Sequence, residues 1–193
     1  MTGESNITAI ILAGGKSSRM GADKGLVELN GIKMIDRVLQ NVTSVLSEVV
    51  ISINLAGYDG LGYPVVRDLY KNCGPLGGIH AGLKHTETPW NLVLACDLPF
   101  ISGDFLRFLL SNIAPADAVV PVHDKLAEPL CALYHKSSLP KIESLLLKQE
   151  FKMQNALKIL DSKFVVVPED LFDASLIFKN INTAQDLSAA SRI

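Results

Sequence analysis

Apolar positions in this chain fall into short unbroken runs separated by stretches with a helical period. The runs at residues 7–12, 48–54, 91–95 and 118–122 predict strands, and the first reads as a strand buried on both faces. Stretches 33–46, 78–86 and 102–113 predict helices between them. Strand and helix in alternation call for an α/β fold, a mostly parallel sheet covered by helices on both faces. Residues 64–66 add another short apolar run, and 128–134 read as a further strand. Segments 136–148 and 152–160 read as amphipathic helices whose Leu and Ile stripes are core and whose lysines form a solvated face. Neither a repeat nor a Pro/Gly/Ser-rich linker divides the chain, so residues 1–193 are expected to form one domain. In such sheets ligands sit at the carboxyl ends of the strands, which gathers the loops after Leu12, Asn54, Val66 and Ala95 on one edge.

Composition narrows the classes. With 193 residues, 48% hydrophobic and 20% charged, the chain can bury a substantial core. Its longest apolar runs fall far short of the roughly 20 residues needed to span a bilayer, so no membrane partner is expected. Residues 1–6 are polar and lead directly into the first strand, which predicts a cytoplasmic protein without a signal peptide. A net charge of -2 argues against a nucleic-acid surface. Cys73, Cys96 and Cys131 are odd in number, far apart and read as small buried hydrophobes. His80, His85, His123 and His135 are scattered, and none is assigned to a metal.

The chemistry is concentrated where the first strand ends. Gly14, Gly15 and Gly21 allow torsions and close approaches that a Cβ would block, and Lys16, Arg19 and Lys24 place three cations within nine positions. Successive amides with fixed cations are what polyphosphate binding requires, so the expected guest is a nucleoside triphosphate. The phosphate loop of ATPases is excluded because Ile10 stands where its first glycine belongs. The dinucleotide fingerprint is excluded because Asp36, at about the right separation, lies in a helical stretch instead of closing a second strand.

Leu12-Ala13-Gly14-Gly15, Arg19-Met20-Gly21 and Asp23-Lys24-Gly25 together resemble the signature of the nucleotidyltransferases that attach a nucleotide to molybdopterin, in particular the molybdenum cofactor guanylyltransferases. The resemblance is specific over the first hundred residues and looser beyond. It implies a Rossmann-like, three-layer fold of the nucleotide-diphospho-sugar-transferase kind. Residues 1–115 would then bind GTP and 116–193 the acceptor, molybdenum-bearing molybdopterin.

Other positions gain meaning beside that resemblance. Asn54 fits a turn residue and a ligand contact about equally on pattern; the resemblance makes it a nucleotide contact. Asp68 can accept from guanine N–H groups or a ribose hydroxyl. Gly74-Pro75-Leu76-Gly77-Gly78 opens a helix with three glycines in five positions, which suits a closely approaching ligand; the family has Ala where Gly77 stands. Asp97, in Cys96-Asp97-Leu98-Pro99, is an acid at the end of a buried strand, placed to hold Mg²⁺, and it matches the family's metal-binding aspartate. Thr183 and Asp186 have capping-box spacing, and the family associates the asparagines matched by Asn180 and Asn182 with molybdopterin. The resemblance thus implies an Mg²⁺-dependent guanylyltransferase using Arg19, Lys24 and Asp97. It would bind GTP through Leu12, Ala13, Gly14, Gly15, Gly21, Lys24, Asn54, Asp68, Gly74, Gly78 and Asp97. Contact with proteins of molybdenum insertion or molybdoenzyme maturation is also implied. A cytidylyl or sugar-phosphate transferase would share the glycine loop and Asp97; a non-catalytic nucleotide-binding module would keep the phosphate loop without turnover, and the intact Lys24 and Asp97 speak against it.

Overall fold

The computed structural model of the chain describes residues 6–14, 24–54, 58 and 60–192. The apolar run ahead of the glycines becomes β1 (Ile7–Ala13), and it is flanked on both sides because both its faces are apolar. There follow a hairpin, β2 (Glu28–Leu29) and β3 (Ile32–Lys33), then α1 (Met34–Thr43), β4 (Glu48–Ile53) and β5 (Val65–Arg67). Next come α2 (Pro75–His85), β6 (Trp90–Ala95), α3 (Gly103–Ser111), β7 (Ala118–His123), β8 (Leu126–Ala127) and β9 (Cys131–His135). The chain continues through α4 (Leu139–Leu147), α5 (Met153–Ile159), β10 (Ser162–Val166), α6 (Ala174–Ile177) and α7 (Ala184–Ala190).

Among the described residues one eight-stranded sheet runs in the order β10-β7-β9-β6-β1-β4-β5, with β8 beside β7. All its neighbours are parallel except the pairings of β9 with β6 and β7, and of β8 with β7. The sheet is therefore mixed but mostly parallel, and it continues unbroken past residue 115. Alternate residues of β1 face opposite layers. Ala9, Ile11 and Ala13 pack with α1, α3 and α6, while Ile10 packs with α2, α4 and α5. Ile10 and Ile11 are both fully buried, each worth about 1.5–3 kcal/mol of transfer free energy. A third cluster, Leu29, Met34, Ile181 and Ala190, draws the hairpin and α7 together beside the carboxyl edge of the sheet.

Most predicted elements are present, with shifted ends. The first helix is shorter than 33–46 because Ser44 already caps it. The second starts at Pro75, whose fixed φ suits the first helical turn. Residues 128–130 are not strand; they turn ahead of β9, with the Cys131 N–H bonded to the Glu128 carbonyl at 3.1 Å. Segment 136–148 splits into a 3-10 turn at Lys136–Ser138 and α4. The cysteines are buried, as their spacing implied.

Candidate active site

Loops at the carboxyl ends of β1, β4, β5 and β6 converge as expected, around a cleft of about 370 Å³. Gly14 leaves β1 at φ +98°, and a Cβ there would stand 2.5 Å from Asn54 Oδ1. The glycine thus lets the β1 loop and the end of β4 touch. Across the cleft α2 begins at Gly74, whose φ of +60° with ψ of -155° is glycine territory. Gly78 on the first turn of α2 lies so close to the sheet that an added Cβ would be 3.0 Å from Leu12 Cδ2 and 3.2 Å from Ser52 Oγ. Ser52, buried in β4, donates to the Gly78 carbonyl (3.1 Å) and stands 3.4 Å from Asp68 Oδ1. Burial raises the Asp68 carboxyl above its ordinary range, and the Ser52 hydroxyl offsets this in part. A carboxylate so placed, with few donors of its own, can accept from the N–H groups of a ligand.

The opposite wall is charged. Lys24 sits on a 3-10 turn, Lys24–Leu26, that comes down onto the end of β6 because Gly25 permits it: a Cβ at Gly25 would be 2.5 Å from Tyr58 Oη and 3.1 Å from Cys96 Sγ. Its Nζ donates to Asp97 Oδ2 at 3.1 Å and also to the Asn182 side-chain carbonyl. Asn182 arrives through a capping box at the start of α7. Asp186 Oδ2 accepts from the N–H groups of Asn182 (3.0 Å) and Thr183 (2.8 Å), and the Thr183 hydroxyl accepts from the Asp186 N–H (3.1 Å). The Thr183 hydroxyl first, then the Asn182 N–H, hold the Asp186 carboxyl below its ordinary value. The Ile181 N–H also bonds to the Asp97 carbonyl at 3.3 Å, which pins the segment to the strand end.

Leu12, Ala13, Gly14, Lys24, Asn54, Asp68, Gly74, Gly78 and Asp97 all line this one cleft. Gly15, Arg19 and Gly21 lie outside the described residues. Asn182 reaches Lys24, whereas Asn180 is exposed, with its amide near the Phe178 carbonyl at 3.5 Å. Pattern reading passed over Ser52 and Leu130, which also line the cleft. The only signal for Ser52 is a hydroxyl inside an otherwise apolar strand. A larger hollow of about 640 Å³ lies at the opposite sheet edge. Its buried acid, Asp117, is already satisfied by Lys141 Nζ (2.5 Å), Ser137 Oγ (2.6 Å) and the Asp161 N–H (2.9 Å), so chemistry and not size selects the site.

The donor set also bears on a metal. Among the described residues there is no group of three or more His, Cys, Asp or Glu side chains that could cage an ion. Asp97, in a cleft whose other carboxylate is Asp68, instead fits Mg²⁺, which takes one or two carboxylates and completes its shell with phosphate oxygens and water.

A mixed, mostly parallel sheet with a glycine turn, a lysine and two carboxylates, Asp68 and Asp97, gathered at its carboxyl edge defines a nucleotidyltransferase-type fold and site. The chain belongs to the family of the MobA-like NTP transferase domain, whose model matches residues 9–163. It is similar to the molybdenum cofactor guanylyltransferase of Vibrio atlanticus, 38% identical over 93% of this chain and 92% of that protein. The corresponding enzyme of Vibrio cholerae is 34% identical, over 95% and 91%. The crystal structure of molybdopterin-guanine dinucleotide biosynthesis protein A from Archaeoglobus fulgidus superposes with a TM-score of 0.82 at 29% identity, covering 96% of this chain and 97% of that one. No helix among the described residues is long and apolar enough to cross a membrane.

Proposed function

We propose that this chain transfers GMP from GTP to the terminal phosphate of molybdenum-bearing molybdopterin, forming the guanine dinucleotide cofactor and releasing pyrophosphate. An acceptor phosphate oxygen attacks the α-phosphorus, the bond from that phosphorus to the β-phosphate bridging oxygen breaks, and the electron pair leaves with pyrophosphate. An acceptor phosphate is already ionised near neutral pH, so the protein need supply only position and charge. The observation that carries this reading is that Lys24, which lines one cleft with Gly14, Ser52, Asp68 and Asp97, bonds to both Asp97 and Asn182.

On this reading Asp68, Asn54 and the Gly74–Gly78 turn receive guanosine, with GTP bound chiefly by residues 1–115. Arg19, Lys24 and the amides of Gly14, Gly15 and Gly21 receive the triphosphate. Asp97 would hold Mg²⁺, which supplies neutralisation of phosphate charge when bound. Asn180 and Asn182, in the 116–193 part, face the acceptor. The Lys24 contacts add a linkage between the halves, because a lysine drawn onto phosphate releases both the Asp97 carboxylate and the Asn182 amide. The reading implies a cytoplasmic enzyme in contact with molybdenum-insertion or molybdoenzyme-maturation proteins.

A titration calorimetry comparison tests the nucleotide half. With Mg²⁺ present, GTP should bind more tightly than CTP or ATP, and Lys24→Ala should weaken GTP far more than guanosine, because the lysine's charge is matched to phosphate. Equal loss for both ligands would make Lys24 a support of the fold, and a preference for CTP would point to a cytidylyltransferase.

A further inference from the structure

The loop from Asp68 to Gly74 carries the carboxylate assigned to the base, yet little of it is buried. Leu69 is 60% exposed, and Lys71 and Asn72 face solvent. Tyr70, two positions after Asp68, turns inward. Its ring meets the His80 ring edge-on, with centroids 5.1 Å apart, and its hydroxyl donates to Glu143 Oε1 at 3.3 Å. His80 belongs to α2, and Glu143 to α4 on the far side of the sequence. The Tyr70 carbonyl also lies 3.1 Å from where a Cβ on Gly77 would be, and Asp68 Oδ2 lies 3.3 Å from the same point. Loop and helix are therefore in near contact where the carboxylate sits.

His80 is the unexplained member. Its ring is fully buried, and neither nitrogen has a hydrogen-bond partner among the described residues. Nε2 stands 3.5 Å from Glu143 Oε1 without hydrogen-bond geometry, an ion pair only when the ring is protonated, while Lys84 Nζ approaches the same carboxylate at 3.9 Å. Burial lowers the imidazole's affinity for a proton; Glu143 opposes that and Lys84 adds to it. A buried imidazole with open nitrogens is costly to keep when an apolar side chain would pack without that cost. Here it gives Tyr70 a flat, rigid wall and leaves Glu143 able to take the tyrosine hydroxyl.

We propose that Tyr70, His80 and Glu143 are positioning residues for nucleobase recognition, a brace between α2 and α4 that sets the depth of the Asp68 carboxylate in the cleft. The proposal rests on Asp68 serving as the base contact. Its energetic weight lies in the Tyr70-to-Glu143 hydrogen bond, which ties the loop to a helix from the other half of the chain.

Tyr70→Phe keeps the ring wall and removes the hydroxyl; Glu143→Ala removes the acceptor; Glu143→Gln keeps an acceptor oxygen. Calorimetry on the folded full-length variants, each matched to wild type by its melting temperature, is run with nucleoside triphosphates and with inorganic tripolyphosphate. Tyr70→Phe and Glu143→Ala should weaken the preferred nucleoside triphosphate about five- to tenfold, the worth of one hydrogen bond. Tripolyphosphate should bind within about twofold of wild type, since no cation of the phosphate site is touched. Glu143→Gln should restore nearly full nucleotide affinity. Parallel losses for tripolyphosphate, no loss for the nucleotide, or a Glu143→Gln variant as weak as Glu143→Ala would each overturn the brace. The brace is read on whichever nucleoside triphosphate wild type binds most tightly, so a wild type that fails to prefer GTP sinks the guanine reading alone.

Discussion

Gly14→Ala perturbs the site at the point where two strand ends touch. At φ +98° an L-residue is strained, by about 1–2 kcal/mol for a left-handed backbone. The new Cβ would also stand 2.5 Å from Asn54 Oδ1 and 3.3 Å from the Asn54 backbone nitrogen. The amide side chain can rotate away, but the backbone nitrogen at the end of β4 cannot move far. Together these terms predict a loss of about 2 kcal/mol in folding stability, or about 4–8 °C in melting temperature for a chain of this size. Displacing Asn54 should also weaken GTP by about fivefold or more, the value of one polar contact. Thermal unfolding and GTP calorimetry on Gly14→Ala, Asn54→Ala and the double variant separate the two effects. With the Asn54 amide already gone the 2.5 Å clash vanishes, while the backbone strain and the 3.3 Å approach to the backbone nitrogen stay, so Gly14→Ala should cost less stability in that background, though not nothing, and no further GTP affinity. A Gly14→Ala protein with wild-type melting temperature and wild-type GTP affinity refutes the reasoning, and so does strict additivity in the double variant.

Three other changes probe separate parts of the account. Asp97→Asn is nearly isosteric, so the fold should survive while turnover falls about a hundredfold or more, several kcal/mol of lost transition-state stabilisation; activity within threefold of wild type at saturating Mg²⁺ would remove Asp97 from the metal site. Asp68→Asn should weaken GTP about tenfold or more by removing a charged acceptor, yet should not destabilise the fold at pH 7. Because burial raises the Asp68 pKa in the folded state, the stability tied to it is present when the carboxyl is protonated, below its unfolded value of 3.8, and is lost as pH rises through the higher folded value. The variant's melting temperature should thus equal or exceed wild type at pH 7, with any advantage shrinking toward pH 4; a lower melting temperature at pH 7 contradicts this. Changing Asn180 and Asn182 together to Asp should spare the cap of α7, which is made by Thr183, Asp186 and the Asn182 backbone N–H, and should cost acceptor use far more than GTP affinity: like-charge repulsion acts on the acceptor phosphate directly, whereas a carboxylate at position 182 reaches GTP only by competing for Lys24. Retained guanine dinucleotide formation would place the acceptor elsewhere.

The strand framework was legible because each central strand is an unbroken apolar run, and Gly14, Asp68 and Asp97 were legible because each interrupts or closes such a run. The hairpin of β2 and β3 was not read, although Asn30 and Gly31 both adopt the positive φ of a tight hairpin turn, at 53° and 77°. Two residues a strand are too few to show alternation. β10 escaped for a different reason: it is a sheet edge with Lys163 and Phe164 turned outward, so its pattern carries no clean buried face. Long-range contacts leave no local trace at all. Asn182 meets Lys24 across 158 positions, and Tyr70 meets Glu143 across 73, so the brace and the link between the halves depend on three-dimensional packing. Ser52 sits between these cases, since a hydroxyl in an apolar strand invites a question that only its contacts with Asp68 and Gly78 answer.

Transfer of a guanylyl group to molybdopterin at the cleft of Lys24 and Asp97 is tested most directly by product formation with competing nucleotides. The purified chain is mixed with molybdopterin, Mg²⁺ and either GTP or CTP, and both released pyrophosphate and the dinucleotide formed are measured. Pyrophosphate and molybdopterin guanine dinucleotide should form in equal amounts from GTP, with little product from CTP. Faster product formation from CTP, or GTP binding without any acceptor-dependent pyrophosphate release, would contradict guanylyl transfer to molybdopterin.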